Sequence, residues 1–428
     1  MVLNYIWIGF FLIGFLVAVC RVVGYCFREF LQEHLHLVFT VADRDVFSAI
    51  VQSTFEMAKT SVEISIYLIG VMTLWLGIMK IGERGGAVKM LSRMMNPFFS
   101  RIFPGIPRNH PALGSIMMNF SANMLGLDNA ATPLGLKAMK ELQEVNPEPA
   151  KASDSQIMFL VLNTSSLTLI PISILAMRVA CGAKVATDIF IPTILATYFS
   201  TIAGLIFVAI RQRIKLYNRV VLAYLTGITV IIAGIIFYLS RLPQTMMASR
   251  TGFAGNFLLF LVIILFLVLG IRKKISLYET FIEGAREGFE VAVKIIPYLV
   301  AMLVAIGVFR ASGSLDFLVG GIGSFFSLFG FDTRFVDALP VAFMKPLSGS
   351  GARGLMVEAM NHFGPDSFAG RLACIMQGST ETTFYTVAVY YGAVNIRNTR
   401  YTVQGGLIAD LAGVIASIFI AYLFFGKG

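Results

Sequence analysis

From Phe257 to Ile271 the chain reads FLLFLVIILFLVLGI, apolar on every face of any helix it could form. This segment is the centre of one of many apolar runs of about 20 residues, the length that crosses the hydrocarbon core of a bilayer. Such runs recur along the whole chain and leave no stretch of soluble-domain size between them. The composition agrees: 57% of the 428 residues are hydrophobic and 14% are charged, against roughly half and a quarter in soluble domains. Within lipid, only helices and closed barrels satisfy their own backbone polar groups. A barrel needs short segments of alternating polarity, which these runs lack. The expected fold is therefore all-α, a polytopic membrane protein.

The first run, 3–25, has no basic leader and no small-x-small cleavage motif, so it is read as a retained helix. Further spans are expected at 63–82, 155–180, 189–210, 220–240, 253–271, 289–309, 372–394 and 403–425, about nine transmembrane helices in all. Between them, 111–136 and 336–360 are apolar but interrupted by Gly, Ser, Asn, Thr and Pro. A break facing lipid would leave backbone groups unsatisfied, so both are read as re-entrant hairpins lining a protected polar cavity. The formal net charge of +10 comes from basic residues that flank apolar runs, which indicates positive-inside topology and no nucleic-acid partner. The segments holding Arg84, Lys89, Arg93, Arg101 and Arg108, then Lys137, Lys140 and Lys151, then Arg211, Arg213 and Lys215, and Arg272 to Lys274, are all placed on the cytoplasmic side. They agree only if the first interrupted stretch enters and leaves on that side. The second then opens on the opposite face, Arg397 and Arg400 return inside, and the C-terminus ends outside. The expected location is the bacterial cytoplasmic (inner) membrane.

The chain also repeats itself. Asp128-Asn-Ala-Ala-Thr-Pro-Leu-Gly-Leu-Lys-Ala-Met139 lies over Gly349-Ser-Gly-Ala-Arg-Gly-Leu-Met-Val-Glu-Ala-Met360, and Asn163-Thr-Ser-Ser-Leu-Thr168 over Gln377-Gly-Ser-Thr-Glu-Thr382. Glu63 and Glu290 head matching spans. Each half reads helix, helix, hairpin, helix, helix, which divides the chain into a first repeat at 1–215, a linking span at 216–250 and a second repeat at 251–428. An odd linker after an even number of crossings inverts the second half, giving the inverted-topology repeat common in secondary transporters.

These motifs carry a resemblance. The first half, with DNAATPLGLKAM and LNTSSLTLIP, resembles spore maturation protein A, and the second, with KPLSGSGARGLM and GSTETTFYTVAVYYGAV, resembles spore maturation protein B. The whole chain looks like a fusion of the two, joined near Lys215 to Ser276. The resemblance implies the nucleoside-recognition, gate-domain group, related to concentrative nucleoside transporters and to the membrane part of ferrous-iron transporter B. The G-protein motif of the iron transporter is absent from this sequence, so its function is not implied.

Candidate binding residues follow from polarity in apolar surroundings. Gln377, Ser379, Thr380, Glu381 and Thr382 form a polar cluster with a carboxylate inside an otherwise apolar span; a mid-membrane carboxylate is costly and is read as functional. The string is similar to the Gly-Gln-Thr-Glu of concentrative nucleoside transporters, whose Gln and Glu hydrogen-bond the substrate; here one more residue separates them, and the cluster follows the hairpin. Its counterpart is Asn163, Thr164, Ser165 and Ser166, with Leu167 in place of the carboxylate, although hydroxyls in spans also serve plain helix packing. At the hairpin tips, Asp128, Asn129 and Thr132, and Ser348, Ser350 and Arg353, offer solute or ion contacts, with helix capping as the plainer role of the first group. Glu381, Asp410 and Asp128 are candidates for a coupling cation, sodium or proton. The histidines all lie in connecting segments and the cysteines lack metal-ligand spacing, so no metal, cofactor or catalytic residue is expected and the chain is not read as an enzyme. The function expected is transport or recognition of a small polar solute by alternating access in a lipid bilayer, with a nucleoside-like molecule as the candidate solute and a homo-oligomer as a candidate assembly. The alternative is a non-transporting factor in envelope or spore maturation that acts through a partner.

Overall fold

The computed structural model describes residues 2–107, 110–165, 167–241 and 244–426, with the backbone alone at 2–3, 128–130, 239–240, 244–245 and 247–249. It is 81% helical and contains no strand among the described residues. In chain order the helices are α1 (Val2–Cys26), α2 (Arg28–Leu35), α3 (Val41–Arg44), α4 (Val46–Gly85), α5 (Ala87–Ile102), α6 (Pro111–Met124), α7 (Asp128–Glu144), α8 (Asp154–Ser165), α9 (Ile172–Ala180) and α10 (Phe190–Gln212). The series continues with α11 (Arg219–Ser240), α12 (Gln244–Arg272), α13 (Leu277–Ala311), α14 (Ser314–Ser327), α15 (Leu339–Met344), α16 (Gly349–Phe363), α17 (Phe368–Ser379), α18 (Thr383–Gly392) and α19 (Thr402–Phe425). Among the described residues seven segments are helical, long and apolar enough to cross a membrane, those of α1, α4, α10, α11, α12, α13 and α19. The chain is a multi-pass membrane protein.

Two of the nine expected spans are not single helices. The run 155–180 is divided into α8 and α9, and 372–394 into α17 and α18. The sequence shows why. At the end of each first half the hydroxyls turn back on the last turn: Thr164 donates to the Val161 carbonyl at 2.9 Å, Ser165 to Leu162 at 3.0 Å and Ser379 to Met376 at 2.9 Å. Side chains that bond their own backbone compete with helix propagation, and Thr380 then turns to extended backbone, at φ −146° and ψ 173°. Three other spans run further than hydropathy alone indicates, because α4 begins at Val46, α12 at Gln244 and α13 at Leu277, where polar residues extend the helices beyond their apolar segments.

Those two long helices form the spine. They run antiparallel, with Gly307 against Met57, Gly288 against Met72 and Lys80 paired to Glu287. The approach is close at Gly288, where a Cβ would lie 2.5 Å from the Met72 carbonyl oxygen; small residues let membrane helices pack backbone to backbone. Beside the spine, α10 packs on α17 and on α19, and α19 also packs on α8. The Ser200 hydroxyl of α10 donates to the Ala409 carbonyl of α19 at 2.9 Å.

The ends of the broken helices are tied across the two halves. At one end, Ala152 N–H donates to the Asn398 carbonyl at 2.9 Å and Arg400 pairs with Asp154 at 2.7 Å. The base of the α6–α7 hairpin lies here too, since the Gln143 amide donates to the Pro149 carbonyl at 2.8 Å. At the other end, Arg178 of α9 is fully buried and pairs with Asp188 at 2.8 Å and with Asp366 at 3.2 Å, while Arg371 holds the second Asp188 oxygen at 2.6 Å. Gly364, at the C-terminus of α16, lies at this second end beside Pro365, whose carbonyl accepts from Arg178 at 2.6 Å. Each hairpin thus has its base beside an end of a broken helix.

Candidate functional site

The middle of the molecule is where both helix breaks meet both hairpin tips. The backbone left free by each break is satisfied from outside its own helix. Leu169 N–H donates to the Met124 carbonyl of the first hairpin at 2.8 Å, and Phe384 N–H to the Pro346 carbonyl of the second at 3.0 Å. The breaks also join each other directly, as Glu381 N–H donates to the Thr164 carbonyl at 2.7 Å. Irregular backbone at membrane depth is tolerated only when buried in protein or lining a polar cavity, and here both conditions occur together. The turn at the first tip depends on Gly126, whose φ is +72° and whose Cβ would lie 2.6 Å from the Ile170 carbonyl oxygen; only glycine combines that backbone with that closeness. At the second tip, Ser348 caps α16 by accepting from Gly351 N–H at 3.0 Å, with Ser350 Oγ 3.3 Å away.

A cavity of about 740 Å³ lies between these elements, within the size range of small-molecule sites. Of the residues singled out from the sequence, Thr132, Asn163, Ser348, Ser350, Arg353, Gln377, Thr380, Glu381 and Thr382 line it. Thr164, Ser165, Ser379 and Asp410 do not; all four are buried behind the lining. Ser166 and the side chains of Asp128 and Asn129 lie outside the described residues. At the backbone level α7 starts at Asp128 itself, so the N-cap position falls on Leu127.

The polar cluster of the second half is less uniform than a string in an apolar span implies. Glu381 is exposed where it lines the cavity, whereas Gln377 and Thr380 are buried in the cavity wall. The Gln377 side-chain oxygen is buried and has no hydrogen-bond partner among the described residues. Glu381 divides its two roles: its backbone ties the two breaks together, and its carboxylate stays on the cavity side.

Some lining residues escaped the sequence reading. Asn123 donates to Asn163 Oδ1 at 2.9 Å and lines the cavity, while Asn119, one turn earlier, donates to the Ala131 carbonyl at 2.8 Å. These amides bind the first hairpin to itself and to α8. Their signal was the spacing of two asparagines four apart in the apolar PALGSIMMNFSANM, which places both on one helix face. Lys80, Glu83 and Glu287 of the spine also reach the cavity, with Lys80 2.8 Å from Glu287 and 3.5 Å from Glu83. Nothing local separates these from ordinary charges at the end of a span; only the antiparallel register of α4 and α13 brings them together.

This architecture, a hairpin followed by a broken helix and then a long one, occurs once on each side of α11 and α12. The comparisons with known proteins divide the chain in the same way. The family described as Gate: Nucleoside recognition matches twice, at 65–180 and at 292–397, together just over half of the chain. Spore maturation protein A of Bacillus subtilis (strain 168) is 41% identical over 203 residues, which cover 47% of this chain and 92% of that protein. Spore maturation protein B of the same organism is 49% identical over 161 residues, covering 38% of this chain and 89% of that protein. No solved structure matches the chain. Each matched segment contains one hairpin and one broken helix, the elements that enclose the cavity, and the chain thus belongs to the nucleoside-recognition Gate family, in company with spore maturation proteins A and B.

Proposed function

We propose that this protein recognises a small polar, nucleoside-like solute in the central cavity and carries it across the bacterial cytoplasmic membrane by alternating access. The observation that carries the reading is the convergence of two helix breaks and two hairpin tips on one cavity of about 740 Å³, lined by Asn163, Gln377, Glu381 and Arg353. A nucleoside presents ribose hydroxyls, ring acceptors and exocyclic donors. Carboxamides match both kinds of group, a carboxylate accepts from hydroxyls, and a guanidinium donates to ring or hydroxyl oxygens. The family description supplies the nucleoside class, and the apolar half of the lining, including Leu76, Ile172 and Tyr390, suits the faces of a base.

The duplicated elements form an inverted repeat in this reading, with each pair of half-helices completing one crossing and the hairpins re-entering from opposite faces. The end holding Lys151 and Arg397 is cytoplasmic and the end holding Arg178 and Lys184 is external, in keeping with positive-inside orientation. Both Arg397 and Lys184 are exposed. Single cysteines placed there, with the native cysteines replaced by serine, should react with an impermeant thiol reagent in intact cells at position 184, and at position 397 only after permeabilisation. Equal labelling of both from outside would sink the topology.

A screen of purified protein against nucleosides, nucleobases and unrelated polar solutes tests the binding reading, because a ligand that binds only the folded state raises the unfolding midpoint by mass action. Proteoliposome uptake of the solute that gives the shift then tests transport. The names of the two relatives favour a second reading, a membrane factor in spore maturation that acts through a partner protein. The absence of any nucleoside shift, together with no uptake, would favour that one.

A further inference from the structure

Asp410 lies on α19, away from the cavity lining, and is almost completely buried, with 3% of its surface exposed. One carboxylate oxygen, Oδ2, accepts from the Thr383 hydroxyl at 2.7 Å. The other, Oδ1, is buried and has no hydrogen-bond partner among the described residues. Buried polar groups are nearly always paired, and a buried carboxylate oxygen without a donor is among the more costly exceptions.

The surroundings explain why no donor reaches it. Gly406, Asp410 and Gly413 share one face of α19, at spacings of four and three residues, and that face is pressed onto both helix breaks. A Cβ at Gly406 would lie 3.1 Å from Thr383 Oγ1 and 3.2 Å from Thr164 Oγ1; at Gly413 it would lie 3.2 Å from Ser379 Oγ and 2.7 Å from the Thr380 methyl. Asp410 is thus bracketed by hydroxyls from both halves of the chain. Most of their protons are already committed: Thr164 donates to Val161, Ser379 to Met376, Ser200 to Ala409 next to Asp410 itself, and Thr383 to Oδ2. The Thr380 hydroxyl is the exception and also acts on the carboxylate; the other oxygens present lone pairs. The C-terminal ends of α8 and α17, which carry Thr164 and Ser379, add the negative ends of two half-helices. The charged groups acting on Asp410 from other elements are the cationic Lys345 and, more weakly, the anionic Glu381.

An acceptor-rich, donor-poor cluster around one carboxylate is chemically the environment of a hard cation with oxygen ligands. A divalent ion calls for more carboxylates or retained waters, and no group of three or more His, Cys, Asp or Glu residues that could hold a metal occurs among the described residues. We propose that Asp410, with the oxygens of Thr164, Ser379, Thr380 and Thr383, binds one dehydrated monovalent cation of sodium's size at the junction of the two broken helices. The ion joins the halves at the point where Glu381 N–H meets the Thr164 carbonyl, so its occupancy and the position of Glu381 in the cavity are linked.

The test uses purified full-length protein without solute, so it fails or succeeds separately from the solute reading. Unfolding midpoints are compared in sodium, potassium and choline chloride at equal ionic strength. Sodium should raise the midpoint by a few degrees over choline, in a saturable manner. Asp410→Asn should abolish the sodium-specific rise. Ser379→Ala is the second variant, which tests the site without removing a buried charge: it keeps the carboxylate and removes one ligand oxygen, and should need several-fold more sodium for the half-maximal shift. Identical midpoints in the three salts would overturn the proposal, as would a sodium response that survives Asp410→Asn. A midpoint that follows pH and ignores the cation would show a proton on Asp410 instead, and would also overturn it.

Discussion

Replacing Arg178 with alanine should lower the stability of the folded protein by about 3–5 kcal/mol, the cost of removing one partner from a buried charge pair. Arg178 is fully buried and Asp188 is 3% exposed, so neither end of the pair can recover its lost partner from water. The guanidinium uses its donors in several directions: Asp188 at 2.8 Å, Asp366 at 3.2 Å, and the carbonyls of Val185 at 3.2 Å, Ala186 at 3.1 Å and Pro365 at 2.6 Å. Removing it would take the guanidinium donor from three carbonyls and leave Arg371 as the remaining cation on Asp188. Lysine keeps the charge but not the planar fork, so Arg178→Lys should fall between wild type and alanine. Thermal or denaturant unfolding in detergent measures the effect. A loss of less than about 1 kcal/mol for alanine, the range of an exposed pair, would mean that this end of the protein is open to water and that the network does not hold the two halves together.

Glu381→Gln should reduce affinity for the solute identified in the nucleoside screen by about tenfold to a hundredfold, since a hydrogen bond to a charged group contributes about 1.5–3 kcal/mol and each 1.4 kcal/mol is a factor of ten. Folding should survive. The link between the two breaks runs through the Glu381 backbone N–H to Thr164, which glutamine retains, and the carboxylate is exposed where it lines the cavity. A structural role predicts the reverse, a lower unfolding midpoint with unchanged affinity per folded molecule. Measuring both on the same preparation separates the two, and a destabilised variant that binds normally would refute the assignment of Glu381 to the solute.

Hydropathy alone determined that this chain lives in a bilayer and located α1, α10, α11 and α19 closely, because a lipid-facing helix must be apolar along its own length and that demand is local. The two interrupted stretches and the matched motifs at 128–139 and 349–360 were equally legible, as glycine, proline and asparagine mark broken backbone wherever they occur. The breaks at 167–171 and 380–382 were not. Averaged over a span, the hydroxyls around them look like those of an ordinary packed helix, and what stabilises the interruption there is a set of hydrogen bonds accepted by the carbonyls of Met124, Pro346 and Thr164 from N–H groups distant in sequence or in the other half. The same reason hid Arg178, which reads as one charge near the end of a span until Asp188, Asp366 and Arg371 are brought around it. Sequence by itself determined where polar groups enter the membrane. Only the tertiary structure decided which of them face the cavity and which face each other, since pairing across 207 residues, as between Lys80 and Glu287, or 246, as between Arg400 and Asp154, depends on how the helices pack and not on any local pattern.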